Sequence, residues 1–165
     1  SEKLSESLPA EADKYGISIE FFIEQEPLGT AGGFHAAREF LSDGDFLVLY
    51  GDIVVEMNLD ALFSYHKEKE ATGTIVAHPN DHPHESDLLK INEESRILEI
   101  LKKEKRKPGF YRNMVPAAIY CFNPDVFNYI EPFKKQEFID DVFPGMIRSG
   151  VSLFAYNTTE YLRDM

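Results

Sequence analysis

Leu28-Gly-Thr-Ala-Gly-Gly33 and, one helix length later, Phe46-Leu-Val-Leu-Tyr-Gly-Asp52 carry the residue types and spacing that could hold a nucleotide and its metal ion. Glycines let backbone approach a flat or charged ligand closely, and a helix starting at such a turn aims N–H groups and the positive end of its dipole at it. Leu28, Gly29, Thr30, Ala31 and Gly32 are therefore candidate nucleotide contacts. The plainer reading is that Pro27 and Gly29 only make a turn and Gly32 a tight helix–sheet contact. No Gly-Lys-Ser/Thr follows, so this is not a Walker loop.

Asp52 ends an apolar run, and in open α/β sheets ligands bind beyond the carboxyl ends of strands. Gly51 clears a side chain from beside it. Mg²⁺ takes one or two protein carboxylates and completes its shell with waters and phosphates, which suits a lone aspartate so placed; a turn or cap aspartate is the alternative. Asp164 follows the last apolar run and could reach the same ion if two strand ends meet. The segment His78-Pro-Asn-Asp-His-Pro-His-Glu-Ser-Asp87 offers nitrogen and oxygen donors in His82, His84, Glu85 and Asp87. Its two inner prolines break the regular geometry a zinc site needs, so it reads first as a specificity loop, then as an inert surface loop.

Positioning these residues requires an alternation of short apolar runs and amphipathic segments, the rhythm of an α/β fold with a Rossmann-like, mostly parallel sheet flanked by helices. The spacing predicts a weak helix over 1–14 and a first strand over Ile17 to Ile23. Phe34, Ala37 and Leu41, at i, i+3, i+7, predict a helix from Ala31 to Leu41. Phe46 to Tyr50 predicts a strand covered on both faces, Asn58 caps a helix with the stripe Leu59, Leu62, Phe63 and His66, and Thr74 to Ala77 predicts a strand. Leu88 to Asn92 and Arg96 to Leu101 read as an inserted β-hairpin. Ala117 to Phe122 is a strand, Asn123-Pro124-Asp125 an N-cap with proline in the first turn, Asp140 to Ser149 the last helix and Val151 to Tyr156 the last strand.

The chain has 165 residues, a length that fits one domain. Its 17 basic and 29 acidic residues leave a net charge of −12, which argues against nucleic acid or an anionic membrane as partner. A phosphate ligand must then be met by backbone N–H groups, a metal or a few lysines. The single Cys121 sits in an apolar run, so no intrachain disulfide forms and a reduced, cytoplasmic setting is expected.

Glu26-Pro-Leu-Gly-Thr-Ala-Gly-Gly33, Leu49-Tyr-Gly-Asp52 and Glu160-Tyr-Leu-Arg-Asp-Met165 resemble, in order and spacing, the sugar-phosphate nucleotidyltransferase family. The 78–88 loop, Tyr111-Arg-Asn-Met-Val-Pro-Ala-Ala-Ile-Tyr120 and Asp141-Val-Phe-Pro144 resemble more narrowly its heptose-1-phosphate and mannose-1-phosphate guanylyltransferases, some of which are fused to a haloacid-dehalogenase-type phosphatase. The resemblance implies a GT-A-like domain. In the reaction it implies, a sugar 1-phosphate oxygen attacks the α-phosphate of a nucleoside triphosphate, GTP by this likeness, releasing pyrophosphate and leaving an NDP-sugar. Asp52 and Asp164 carry over as Mg²⁺ ligands, Leu28 to Gly32 as the segment whose backbone meets the base, and Gly51 as the neighbour of the ribose. His82, His84 and Asp87, with one of Lys103, Lys105 or Lys107, stand for the sugar-phosphate contacts, against a solvated basic run.

Departures bound what is implied. Pro116-Ala-Ala-Ile-Tyr120 stands where the family has Asn-Ala-Gly-Ile-Tyr, and Tyr50 stands before Gly51-Asp52 where asparagine is common. The family's opening strand, its Gly-rich, Arg-containing triphosphate loop and its Pro-Lys-Pro segment have no counterpart here, so residues 1–165 are expected to be a single partial domain, inactive alone. A companion fragment or a homo-oligomer is expected to complete the sheet. Two other classes stay open: a non-catalytic nucleotide- or sugar-binding regulatory module of the same fold, and a GT-A-like glycosyltransferase, weakened by the absence of Asp-x-Asp after a strand.

Overall fold

The computed structural model describes the backbone of residues 2–164 and the side chains of residues 8–163. Helix α1 spans Glu2–Asp13, α2 Gly29–Gly32 continued by a 3₁₀ turn Gly33–Ala37, α3 Leu59–Glu68 and α4 Phe143–Ser149, the last preceded by a π-helical turn Phe138–Val142. The strands are β1 Phe46–Leu49, β2 Ile53–Glu56, β3 Gly73–His78, β4 Leu88–Ile91, β5 Ile97–Leu101, β6 Val115–Phe122, β7 Leu153–Asn157 and β8 Tyr161–Asp164. A four-stranded sheet runs β1-β6-β3-β7, with two-stranded ribbons β2-β8 and β4-β5.

The α/β class is the one expected, and the strand directions are mixed: β3 and β7 run parallel, while β6 is antiparallel to both β1 and β3. Period-two alternation along these strands builds two cores. From β6, Tyr120 and Phe122 enter one, and Ile119 and Cys121 enter the other. Ile75 and Ala77 face the first core and Val76 the second, so the sheet is covered on both sides. The larger core is aromatic. Tyr120, Phe122, Phe138 and Phe143 lie with ring centroids 5.2–6.1 Å apart, and Phe138 and Phe143 come from the turn and helix laid over the sheet.

Helix α3 forms as its cap and stripe require. Asn58 Oδ1 accepts a hydrogen bond from Ala61 N at 3.0 Å, and Leu62 and His66 are fully buried against the smaller core. The hairpin is β4–β5, and the asparagine cap before Pro124 starts a 3₁₀ turn rather than a longer helix.

Two expectations are corrected, and one ribbon is unforeseen. Residues Ile17 to Ile23 do not form a strand; Ile17, Phe21, Phe22 and Ile23 are exposed, Ile23 at 83 %, and Ile19 is half-buried, because no described strand lies beside them, and a strand exists only through its ladder. The helix expected from Ala31 to Leu41 stops at Ala37 and is α-helical only over Gly29–Gly32, since consecutive glycines hold a helix weakly; Phe34 and Leu41 still pack on the core while Phe40 stays exposed. The β2–β8 ribbon was not expected, because Ile53-Val-Val-Glu56 and Tyr161-Leu-Arg-Asp164 are too short to show a period.

Candidate functional site

The two separate motifs converge. Thr30 and Phe34 from the glycine-rich turn and Tyr50, Gly51 and Asp52 from the end of β1 line one shallow cavity of about 320 Å³. Asp52 is exposed at its rim, where a carboxylate costs little to keep charged.

The turn owes its shape to a distant segment. Gly29 sits at φ +76°, and a Cβ there would lie 2.5 Å from Gln136 O; a Cβ on Gly32 would collide with Lys134 O. Gln136 N donates to Leu28 O at 2.9 Å, and Gln136 O accepts from Ala31 N at 3.0 Å and Gly32 N at 3.4 Å. Glu137 Oε2 accepts from Thr30 N at 2.9 Å and Thr30 Oγ1 at 2.6 Å, while Phe138 N donates to Thr30 Oγ1 at 3.0 Å. The two Thr30 bonds hold the Glu137 carboxyl below the usual carboxylate range. The amides of Thr30, Ala31 and Gly32 are thus satisfied within the protein. The expected fan of free N–H groups is absent from these three residues, and a four-residue helix supplies no macrodipole of consequence.

Residue 164 arrives beside residue 53. Strand β8 pairs antiparallel with β2 in the register Ile53↔Asp164, Val54↔Arg163, Val55↔Leu162, Glu56↔Tyr161. Glu160 secures the approach: its Oε1 accepts from Asn58 N at 3.0 Å at the start of α3, and its Oε2 accepts from Thr158 Oγ1 at 2.8 Å. Thr158 N donates in turn to Ala77 O at 2.9 Å. Glu160 opens the Glu160-to-Met165 motif, but no sequence signal marks it as a positioning group, since its partner Asn58 lies 102 positions away.

The 78–88 loop is a braced wall. Asn113 Oδ1 accepts from Asn80 N at 3.3 Å, Asn113 Nδ2 donates to Asn80 O at 2.7 Å, and Asn80 Nδ2 donates to Ser86 Oγ at 2.8 Å. Arg106 Nη2 donates to the carbonyls of Pro83, His84 and Ser86. The wall divides the predicted sugar-phosphate residues. His82 lines a cavity of about 720 Å³ with His78, Ala117, Ala118 and Arg163, next to Ile53. His84 and Lys103 line a separate cavity of about 410 Å³ with Arg106, Lys107 and Tyr111. Asp87 faces neither: it accepts from Lys102 Nζ at 2.6 Å and Lys103 N at 2.9 Å, and Lys102 also pairs with Asp140. Lys105 is exposed in a short 3₁₀ turn. Among the described residues no group of three or more His, Cys, Asp or Glu side chains is placed to hold a metal ion, so the histidine loop gathers no zinc-type cage.

The family described as Nucleotidyl transferase matches residues 1–164. The chain is 32 % identical over 167 residues to the mannose-1-phosphate guanylyltransferase catalytic subunit beta of Drosophila pseudoobscura pseudoobscura, covering 100 % of this chain and 44 % of that one. It is 31 % identical over 156 residues to the mannose-1-phosphate guanyltransferase of Candida albicans, covering 93 % of this chain and 42 % of that one. The chain therefore spans less than half the length of these relatives. A crystal structure of HddC from Yersinia pseudotuberculosis superposes with a TM-score of 0.74 at 20 % identity over 95 % of this chain and 67 % of that one, a likeness of fold. No described helix is long and apolar enough to cross a membrane.

Proposed function

As the chain belongs to the nucleotidyl transferase family, we propose that residues 1–165 are a single partial domain of a sugar-1-phosphate guanylyltransferase. In the reaction, a phosphate oxygen of the sugar 1-phosphate attacks the α-phosphorus of GTP, the bond to the β-phosphate oxygen breaks, and pyrophosphate leaves. The observation that carries this reading is the Ile53↔Asp164 register, which brings the terminal acid beside the strand that starts after Asp52. GTP rests on the guanylyltransferase names of the relatives, and the cytoplasm is the setting expected of a chain with one, buried, cysteine.

Each part has a named role. Leu28 to Gly32 border the base, offering the backbone that the 134–138 segment leaves free, and Gly51 gives the ribose room, since nothing within 4 Å opposes a group at its Cβ position. Asp52 and Asp164 are the residues that would hold Mg²⁺, and the hard carboxylate oxygens of Asp52, at the rim of an open cavity, suit that ion. When bound, the ion neutralises charge on the phosphate oxygens. The sugar phosphate enters the larger cavity, where Arg163 brings positive charge, His78 and His82 offer ring nitrogens, and Ala117 and Ala118 leave space. Attacker and leaving group are both anionic, so the chain's work is to position them and offset charge.

Completion of the sheet is part of the proposal. Among the described residues no strand pairs with the run at 17–23, where Ile17, Phe21, Phe22 and Ile23 are exposed, and a companion segment or a second copy of the chain would cover it.

Isothermal titration of this chain with GTP, UTP and CTP in Mg²⁺, followed by a pyrophosphate-release assay with GTP and mannose or heptose 1-phosphate, tests the reading. Preferential GTP binding supports it, and release of pyrophosphate by the chain or by a completed assembly establishes the reaction. Absence of any nucleotide binding in either form removes it. Binding without turnover in the completed form favours a regulatory module.

A further inference from the structure

The glycine-rich turn already holds an anion of its own. Thr30 N and Thr30 Oγ1 both donate to Glu137 Oε2, which sets the carboxylate against the Thr30 amide, and Glu137 N donates to Asp141 Oδ2 at 2.8 Å, which holds the backbone that carries it. Turns of this composition ordinarily offer that amide to a phosphate. Here a phosphate would meet a carboxylate at hydrogen-bond distance from the same donors, and like charges that close repel.

We infer that Glu137 is a positioning residue that fills the anion position of the glycine-rich turn, so that the turn presents a rigid, charge-satisfied backbone to a nucleobase and turns phosphates away. The functional half rests on the nucleotide reading of this site; the positioning half rests on the contacts alone. Charge-assisted hydrogen bonds are about twice as strong as neutral ones, and two of them converge on one oxygen. The Gln136 backbone supplies the rest of the cradle, but it cannot replace the carboxylate at Thr30, whose amide has no other partner among the described residues. Lys135 reinforces the carboxylate's negative form and Asp140 opposes it, which leaves the Thr30 bonds as the largest influence.

The test uses the whole chain and the variants Glu137→Ala and Glu137→Gln, read by amide hydrogen exchange at Thr30 and Ala31, by titration with guanosine and GTP, and by the shift of the Thr30 amide resonance on adding pyrophosphate. In Glu137→Ala, Thr30 exchange accelerates by about tenfold or more, guanosine and GTP weaken by the same factor, and the Thr30 resonance moves with pyrophosphate, which leaves it unmoved in the wild type. Glu137→Gln, which keeps an acceptor oxygen, recovers most of the protection and affinity. Unchanged Thr30 exchange in Glu137→Ala overturns the inference, as does wild-type guanosine affinity in that variant or a pyrophosphate response at Thr30 in the native chain. A wild type that binds no nucleotide, with a variant that loses Thr30 protection, sinks the nucleotide reading and upholds the positioning role.

Discussion

Ile53 and Asp164 are direct partners across the antiparallel β2–β8 ribbon. The pairing sets an acid from the last residues of the chain beside the strand that begins immediately after Asp52. Glu160 holds the ribbon to the start of α3, so the meeting is built into the packing of the smaller core.

Asp52→Asn is expected to weaken GTP binding about tenfold or more in Mg²⁺ and to leave binding in the presence of EDTA unchanged. Titration with and without the metal checks this. An equal loss in both conditions would assign Asp52 a role in the fold of the turn instead.

The glycines divide into two kinds. Gly29→Ala and Gly32→Ala drive a methyl into the 134–136 backbone, with positive φ an added strain at Gly29, and each is expected to cost about 2 kcal/mol or more. Gly51→Ala meets nothing within 4 Å and is expected to leave the melting temperature within about one degree while lowering nucleotide affinity. Thermal denaturation beside titration separates the two.

His66 makes stability depend on pH. It is 1 % exposed, its Nδ1 lies 2.8 Å from Thr74 Oγ1, and burial holds its pKa below the ordinary value against the opposing pull of Asp45. The unfolded chain therefore takes up a proton at His66 before the folded one does. Stability is full above the ordinary histidine pKa, about 6.5, and is lost as pH falls from there toward the depressed folded value. Urea midpoints between pH 7.5 and 5 should fall more steeply for the wild type than for His66→Gln; parallel curves would rule this out.

The exposed run at 17–23 predicts association. Light scattering should show mass rising with concentration, and Phe22→Lys with Ile23→Lys should return the chain toward monomer without lowering its melting temperature. A monodisperse wild-type monomer at high concentration would count against it.

The sequence by itself determined the α/β class, the hairpin at 88–101, the Asn58 and Asn123 caps and the family likeness, because each is written in neighbouring residues: a period, a turn or a cap side chain within three positions of its target. Only the tertiary structure decided what the glycines are for, since Gln136 and Glu137 lie more than a hundred positions from Thr30 and no local pattern announces them. The same holds for the parting of His82 from His84 and Lys103 by a loop that Asn113 and Arg106 brace, and for the capture of Asp87 by Lys102. Even the strand expected at 17–23 failed for this reason. Propensity proposes an extended segment, but ladder partners elsewhere in space decide whether it becomes a strand.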